Sequence, residues 1–99
     1  MEAIVRIKEV MPLEVIEYQN RTTLQTDVMK KKCFLVRQGD QEFLVEASGK
    51  LAESCEANAL LKAGEICYIS CRIYTRQFLK TDNTRGFSTD IQLRSISPM

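Results

Sequence analysis

The chain has 99 residues, 44% hydrophobic and 27% charged, which predicts one folded domain over residues 1–99 rather than two domains or a disordered segment. The 14 Lys and Arg against 13 Asp and Glu leave a net charge of +1, so charge-driven binding requires a local patch. There is no histidine, and this removes the commonest general base and the commonest metal ligand and argues against an enzyme.

The N-terminus has no basic segment followed by a long apolar run, and no stretch approaches the roughly 18 apolar residues of a membrane helix. We therefore expect a cytoplasmic protein without a membrane partner. In that compartment the four cysteines favour reduced core residues over two disulfides. Cys67 and Cys71 would lie roughly 13 Å apart on one strand, too far to bridge. The spacing does not favour zinc either, and we expect no metal and no cofactor.

The first half of the chain predicts three strands. Residues 3–10 alternate between apolar and polar side chains and form the first. Residues 13–29 show no clean period, and we interpret them as a long connection with some extended structure at 13–18 or 22–28. Two β-prone runs, at residues 33–37 and 42–47, flank a Gly-Asp turn and predict a hairpin.

The second half predicts one helix and two strands. Residues 51–62 are rich in Ala, Leu, Glu and Lys, with Leu51, Cys55 and Ala59 on one stripe, and they predict a helix closed by Gly64. Strands follow at residues 66–78 and 87–96 on either side of a polar turn. This order predicts an all-β fold, a five-stranded Greek-key barrel of the OB type with one short helix between strands 3 and 4.

The strand at residues 66–78 has two distinct faces. One face is apolar and predicts core: Cys67, Ile69, Cys71, Ile73 and Thr75. The other interleaves aromatic rings with guanidinium groups: Tyr68, Ser70, Arg72, Tyr74, Arg76 and Phe78. Aromatic rings stack on bases and arginines contact phosphates, so the pattern fits single-stranded nucleic acid. Tyr and Arg are equally typical of protein interfaces, and the pattern alone favours a homodimer interface as much.

Further basic residues lie near the hairpin and in the late turn, and they have two interpretations. The set consists of Lys30, Lys31, Lys32, Arg37, Lys80 and Arg85. They are either solvated charges or contacts to a phosphate backbone. The second interpretation follows because OB barrels commonly bind a strand with their first and fourth inter-strand loops, which correspond here to residues 21–32 and 79–85. Glu42 and Glu46 are predicted to point outward and would repel phosphates.

Segments of the second half resemble the bacterial single-stranded-DNA-binding protein family. Residues 49–53, G-K-L-A-E, are similar to its step from third strand into helix. Residues 61–78 are similar to its following strand, with T-R-x-aromatic at residues 75–78, and residues 87–93 look like its final strand. The likeness covers close to half of the chain, and residues 12–20 match the family's P-E-V-x-Y-x-x-N segment only loosely.

This resemblance implies an OB fold that binds single-stranded DNA, or RNA, without sequence preference and without a cofactor. It also implies a role in DNA replication, recombination or repair and assembly into a homodimer or homotetramer. Phe78 stands where the family places a stacking aromatic, with Arg72 and Arg76 beside it. Tyr68 matches a family tyrosine that serves assembly, and with Ile4 and Arg6 it forms a candidate oligomer interface.

The chain also departs from the family. Glu42 and Ser48 stand where the family carries third-strand aromatics, and Cys71 replaces a glycine. The sequence reaches Met99 without a Gly/Pro-rich linker or an acidic tail, which predicts a short form. The alternative function is an OB-fold module for protein–protein interaction or oligomerisation, an accessory replication or mobile-element protein with weak or no nucleic-acid binding. An enzyme is least favoured, because no nucleophile stands beside a base.

Overall fold

The computed structural model describes residues 1–99 and contains six strands and one helix. The elements in chain order are β1 (Glu2–Val10), β2 (Glu14–Gln19), β3 (Thr26–Gln38), β4 (Gln41–Ser48), α1 (Lys50–Ala57), β5 (Ile66–Leu79) and β6 (Arg85–Pro98). The strand order in the sheet is β1-β5-β6-β4-β3-β2, and β1 also pairs with β3. The pairings therefore run in a closed ring through five strands, and β2 is added outside it.

The sixth strand corrects the sequence prediction. Residues 13–29 contain β2 and the start of β3, which pair antiparallel from Glu14 with Lys31 to Gln19 with Thr26. Every residue of β2 is exposed. Because neither face of this strand is buried, its sequence carries no alternation of apolar and polar residues that would reveal it.

The core lies inside the ring and follows the strand alternation predicted for β1 and β5. Ala3, Val5 and Ile7 of β1 are buried, and their neighbours in the strand are exposed. The other strands and the helix add the remaining members of the cluster, which are Phe34, Val36, Val45, Ala47, Ala52, Cys55, Leu61, Cys67, Ile69, Cys71 and Leu93. The hairpin of β3 and β4 is confirmed, with Gln38 opposite Gln41 at its turn.

The second half of β5 differs from its predicted core face. Cys67, Ile69 and Cys71 are buried as predicted, whereas Ile73 and Thr75 are exposed. From Ile73 onward β5 pairs only with β6, so this part of the strand is no longer covered by β1 and the side chains of Ile73 and Thr75 lie in solvent. The alternation along β5 is correct, but it continues past the point where the core ends.

The helix is shorter than predicted. It ends at Ala57, and the next residue, Asn58, has extended backbone angles. Oδ1 of Asn58 accepts a hydrogen bond from the backbone N–H of Leu60 at 3.0 Å, a local turn that competes with further helix. Ala59 therefore lies outside the helix, and Gly64, with a φ of 94°, belongs to the loop that follows.

All four cysteines are free and buried, as predicted. Burial raises the pKa of each thiol above its ordinary value of 9.0. No group of three or more His, Cys, Asp or Glu side chains lies close enough together to hold a metal ion. The eight residues of α1 make a helix too short to cross a membrane.

Candidate nucleic-acid interface

An open groove lies on the outer face of the sheet, between the β2–β3 hairpin and the β5–β6 hairpin. Its volume is about 330 Å³. Five strands line it, with Ile16 from β2, Met29 and Lys31 from β3, Glu46 and Ser48 from β4, Tyr74 and Arg76 from β5, and Asp90 and Gln92 from β6. On four of these strands the lining residues are two apart, so strand alternation brings both to the same face.

The strand register sets which side chains meet in the groove. Tyr74 lies opposite Asp90 across β5 and β6, and Gln92 lies beside Glu46 where β6 meets β4. Nε2 of Gln92 donates a hydrogen bond to Oγ of Ser48 at 2.9 Å. The floor of the groove is therefore polar, and its aromatic group comes from β5.

Tyr74 is half-buried, and one arginine lies over its ring. The guanidinium carbon of Arg72 is 5.8 Å from the ring centroid, within the range of a cation–π contact. Arg72 precedes Tyr74 by two residues and shares its face of β5. Arg72 therefore covers one face of the ring, and both the ring and the guanidinium plane are groups that stack on nucleobases.

The two cations in the groove are each matched by a carboxylate. Nη2 of Arg76 lies 2.8 Å from Oδ2 of Asp90, and Nζ of Lys31 lies 3.6 Å from Oε2 of Glu46. The Arg76 contact lacks the angle of a hydrogen bond, so Oδ2 of Asp90 is buried without a hydrogen-bonded partner. The groove is close to electrically neutral, and a phosphate that enters it has to compete with these carboxylates.

Of the three consecutive lysines, the structure brings only Lys31 into the groove. Strand alternation turns Lys30 and Lys32 to the other face, where each contacts a carboxylate of α1. Nζ of Lys30 is 2.7 Å from Oε1 of Glu53, and Nζ of Lys32 is 2.6 Å from Oε2 of Glu56. These two lysines, for which contact with phosphates is one of the two interpretations of the sequence, join the helix to β3.

Phe78, Lys80 and Arg85 lie together near the tip of the β5–β6 hairpin. Phe78 and Arg85 line a shallow depression of about 230 Å³. The ring of Phe78 lies across Gly86, its partner on β6, so closely that a Cβ at Gly86 would be 2.5 Å from Cζ of the ring. Lys80 lies beside the same glycine. These three predicted residues therefore lie near one another, at the hairpin tip, and the groove residues Tyr74 and Arg76 lie earlier along β5.

Four further predicted residues, Ile4, Arg6, Arg37 and Tyr68, lie away from the groove. Arg37 is at the far end of β3, about 20 Å from Lys31 at the usual rise of a strand. It lines a separate pocket with Ile4 and Arg6 of β1. Tyr68 lies opposite Ile4 across β1 and β5, and the nearby carboxylate of Glu2 raises the pKa of the tyrosine.

The sequence interpretation missed several groove residues. Ile16 and Met29 form one wall, and Tyr18, two residues further along β2, faces the same side and is exposed. Asp90 and Gln92 were also missed. Ile16 and Tyr18 share a side of β2 because they are two residues apart, but without a buried face no signal in the sequence marks that stretch as a strand.

The fold is that of a known structure. A crystal structure of a mitochondrial single-stranded DNA binding protein from S. cerevisiae, Rim1, superposes with a TM-score of 0.58 and 13% sequence identity, covering 100% of this chain and 92% of that one. A comparison with protein-family models gives no match, and a comparison with curated proteins gives none. At this identity the likeness establishes a shared, largely β-sheet fold of the kind seen in OB proteins.

Proposed function

We propose that this protein binds single-stranded DNA along the groove between its two hairpins, without sequence preference. The observation that carries the proposal is the placement of Tyr74 and Arg76 on the groove face, with Arg72 over the tyrosine ring. The likeness in fold to a single-stranded DNA binding protein supports it. A role in replication, recombination or repair is part of the proposal.

The energetics of such binding follow from the groove's composition. A base stacked on an aromatic ring contributes about 1 to 3 kcal/mol irrespective of its identity. Arg76 and Lys31 supply charge, but their carboxylate partners limit the number of free cations. We therefore expect stacking on Tyr74 to carry much of the affinity, and the dependence on salt to be shallower than in a groove lined only by cations.

A titration of a fluorescent oligo-dT strand at low salt, followed by anisotropy, tests the proposal. Replacing Tyr74 with alanine removes one stacking platform and should weaken binding by about 5- to 150-fold, which corresponds to about 1 to 3 kcal/mol. Tyr74→Phe keeps the ring and should retain most of the affinity. Thr75→Ala, on the opposite face of the same strand, is the matched control and should bind as the unmodified protein does.

Two results would contradict the proposal. One is no detectable binding of the unmodified protein at low salt. The other is equal affinity of the Tyr74→Ala and Thr75→Ala proteins, which would mean that the nucleic acid uses another surface. The same titration with oligo-U compares RNA with DNA.

A second function has its own observation. Ile4, Ile66 and Tyr68 form an exposed apolar patch where β1 pairs with β5, with Ile4 52% exposed. Such a patch is suited to a contact between copies of the chain or with another protein. Tyr68→Glu should turn a homodimer or homotetramer into a monomer in light scattering. If this change dissociates an oligomer while the unmodified protein binds no oligonucleotide, the interaction module is the better description.

A further inference from the structure

A basic pocket lies at the opposite end of β3 from the groove. Its volume is about 340 Å³. Three cations line it, Arg6 and Lys8 from β1 and Arg37 from β3, together with the start of the β3–β4 turn. Because Arg37 is six residues along β3 from Lys31, this basic pocket and the groove are about 20 Å apart.

Backbone carbonyls position the two guanidinium groups. Nη1 of Arg6 donates to the carbonyl oxygen of Gly64 at 3.1 Å, and Nε of Arg37 donates to that of Gly39 at 2.8 Å. The N–H of Gly64 in turn donates to the carbonyl of Ile7 at 2.7 Å, which holds that loop against β1. Both arginines are thus oriented by neutral acceptors, and their remaining N–H donors stay available.

The cations of the basic pocket form no ion pair within the protein, although Glu42 lies opposite Arg37 across β3 and β4. The structure contains four ion pairs, and none of them involves Arg6, Lys8 or Arg37. Arg6 and Arg37 lie directly opposite each other across β1 and β3. Like charges in such a pair are destabilising unless an anion lies between them. The groove differs in this respect, because each of its cations already faces a carboxylate.

We infer that the basic pocket is a second phosphate site, which takes a backbone phosphate of a single strand that continues beyond the groove. The inference rests on the proposed function and extends it. Guanidinium groups bind phosphate oxygens with paired N–H donors, and Lys8 adds a third charge. OB folds bind single strands of about 4 to 16 nucleotides, so one strand can reach both sites.

The experiment compares a short and a long oligo-dT strand, of about 3 and about 16 nucleotides, because the short one cannot span the roughly 20 Å between the two sites. The variant is Lys8→Ala combined with Arg37→Ala, which leaves Arg6 to hold its carbonyl. The long strand should bind about 10-fold or more weakly at low salt, and the slope of log K against log salt should flatten by about 0.7 for each phosphate that the variant no longer binds. The short strand should bind unchanged. Lys62→Ala removes an exposed lysine outside the basic pocket and should alter neither strand's affinity.

Circular dichroism should show that the double variant keeps its fold. Replacing Arg37 with lysine instead of alanine should recover part of the long-strand affinity that the double variant loses. If both strands bind the double variant as well as the unmodified protein, the inference is wrong while the groove function stands. If the unmodified protein binds neither strand, the proposed function itself fails.

Inorganic phosphate at constant ionic strength separates a strand phosphate from a free anion. Suppose that inorganic phosphate binds the unmodified protein and not the double variant, while the two proteins have the same affinity for the long strand. The site then belongs to a free anion, and the inference is overturned.

Discussion

The contact between Lys32 and Glu56 gives a stability prediction with an internal control. The side chain of Lys32 is only 7% exposed, whereas that of Glu56 is 47% exposed. Glu56→Gln removes the negative charge and leaves the buried ammonium without a counter-ion. Breaking a fully buried ion pair costs about 3 to 5 kcal/mol, and surface pairs are worth less than about 1 kcal/mol. With one partner buried and the other half-exposed, we expect a loss of about 2 kcal/mol.

The neighbouring pair of Lys30 and Glu53 is the matched control. It also joins β3 to α1, at 2.7 Å, but its side chains are 39% and 51% exposed. Glu53→Gln should therefore cost less than about 0.5 kcal/mol. Lys32→Met, in contrast with Glu56→Gln, removes the buried charge itself and should be close to neutral.

Urea unfolding followed by circular dichroism measures these differences. A small protein has an m-value of about 1 to 3 kcal/mol per M, so Glu56→Gln should lower the midpoint by roughly 1 M. The reasoning is refuted if Glu56→Gln and Glu53→Gln have equal effects, or if Lys32→Met is the most destabilising of the three. Either result would mean that the ammonium of Lys32 remains hydrated despite its position.

Three further predictions address the groove, the core and the hairpin tip. Asp90→Asn removes the partner of Arg76 and should tighten binding of a single strand by about 5-fold, or about 1 kcal/mol, with a steeper salt dependence, as measured by the same anisotropy titration. Because burial raises the pKa of all four thiols above 9.0, they stay protonated at pH 8, and a thiol reagent should modify them rapidly only in denaturant; fast reaction of the native protein would contradict this. Gly86→Ala should displace the ring of Phe78, which is half-exposed and free to move, so the melting temperature should hardly change. If that ring contributes to binding, the affinity of the Gly86→Ala protein should fall to that of the Phe78→Ala protein.

Strands with one buried face were predictable from sequence, and the reason is local. Val5 and Ile7 alternate with exposed residues in β1, and Cys67 to Cys71 do so in β5, because burial on one side of a strand leaves a period of two. β2 has no such mark, since both of its faces are solvated. The end of the helix was missed for another local reason, the side-chain turn at Asn58, which competes with helical hydrogen bonds.

The candidate site was predictable only in part. The alternation of Arg72, Tyr74 and Arg76 on one face of β5 follows from the strand period. Their neighbours do not, because the register of each hairpin sets where Asp90 and Glu46 lie, and the pairing of β4 with β6 brings the two hairpins to one groove. The carboxylates that neutralise the groove's cations are therefore a property of the strand register, which has no signature within a single segment.

Residue patterns within single segments were enough to predict the all-β character with one helix, the buried cysteines and the aromatic and arginine face of β5, since each depends on burial or spacing within one segment. Which cations act together depends on how the strands and the helix pack in the folded chain. The three consecutive lysines divide between the groove and the helix, and Arg37 joins Arg6 rather than Lys31. The physical reason is that a strand's period assigns a side chain to a face, whereas its electrostatic partners depend on which strands pair beside it and in which register.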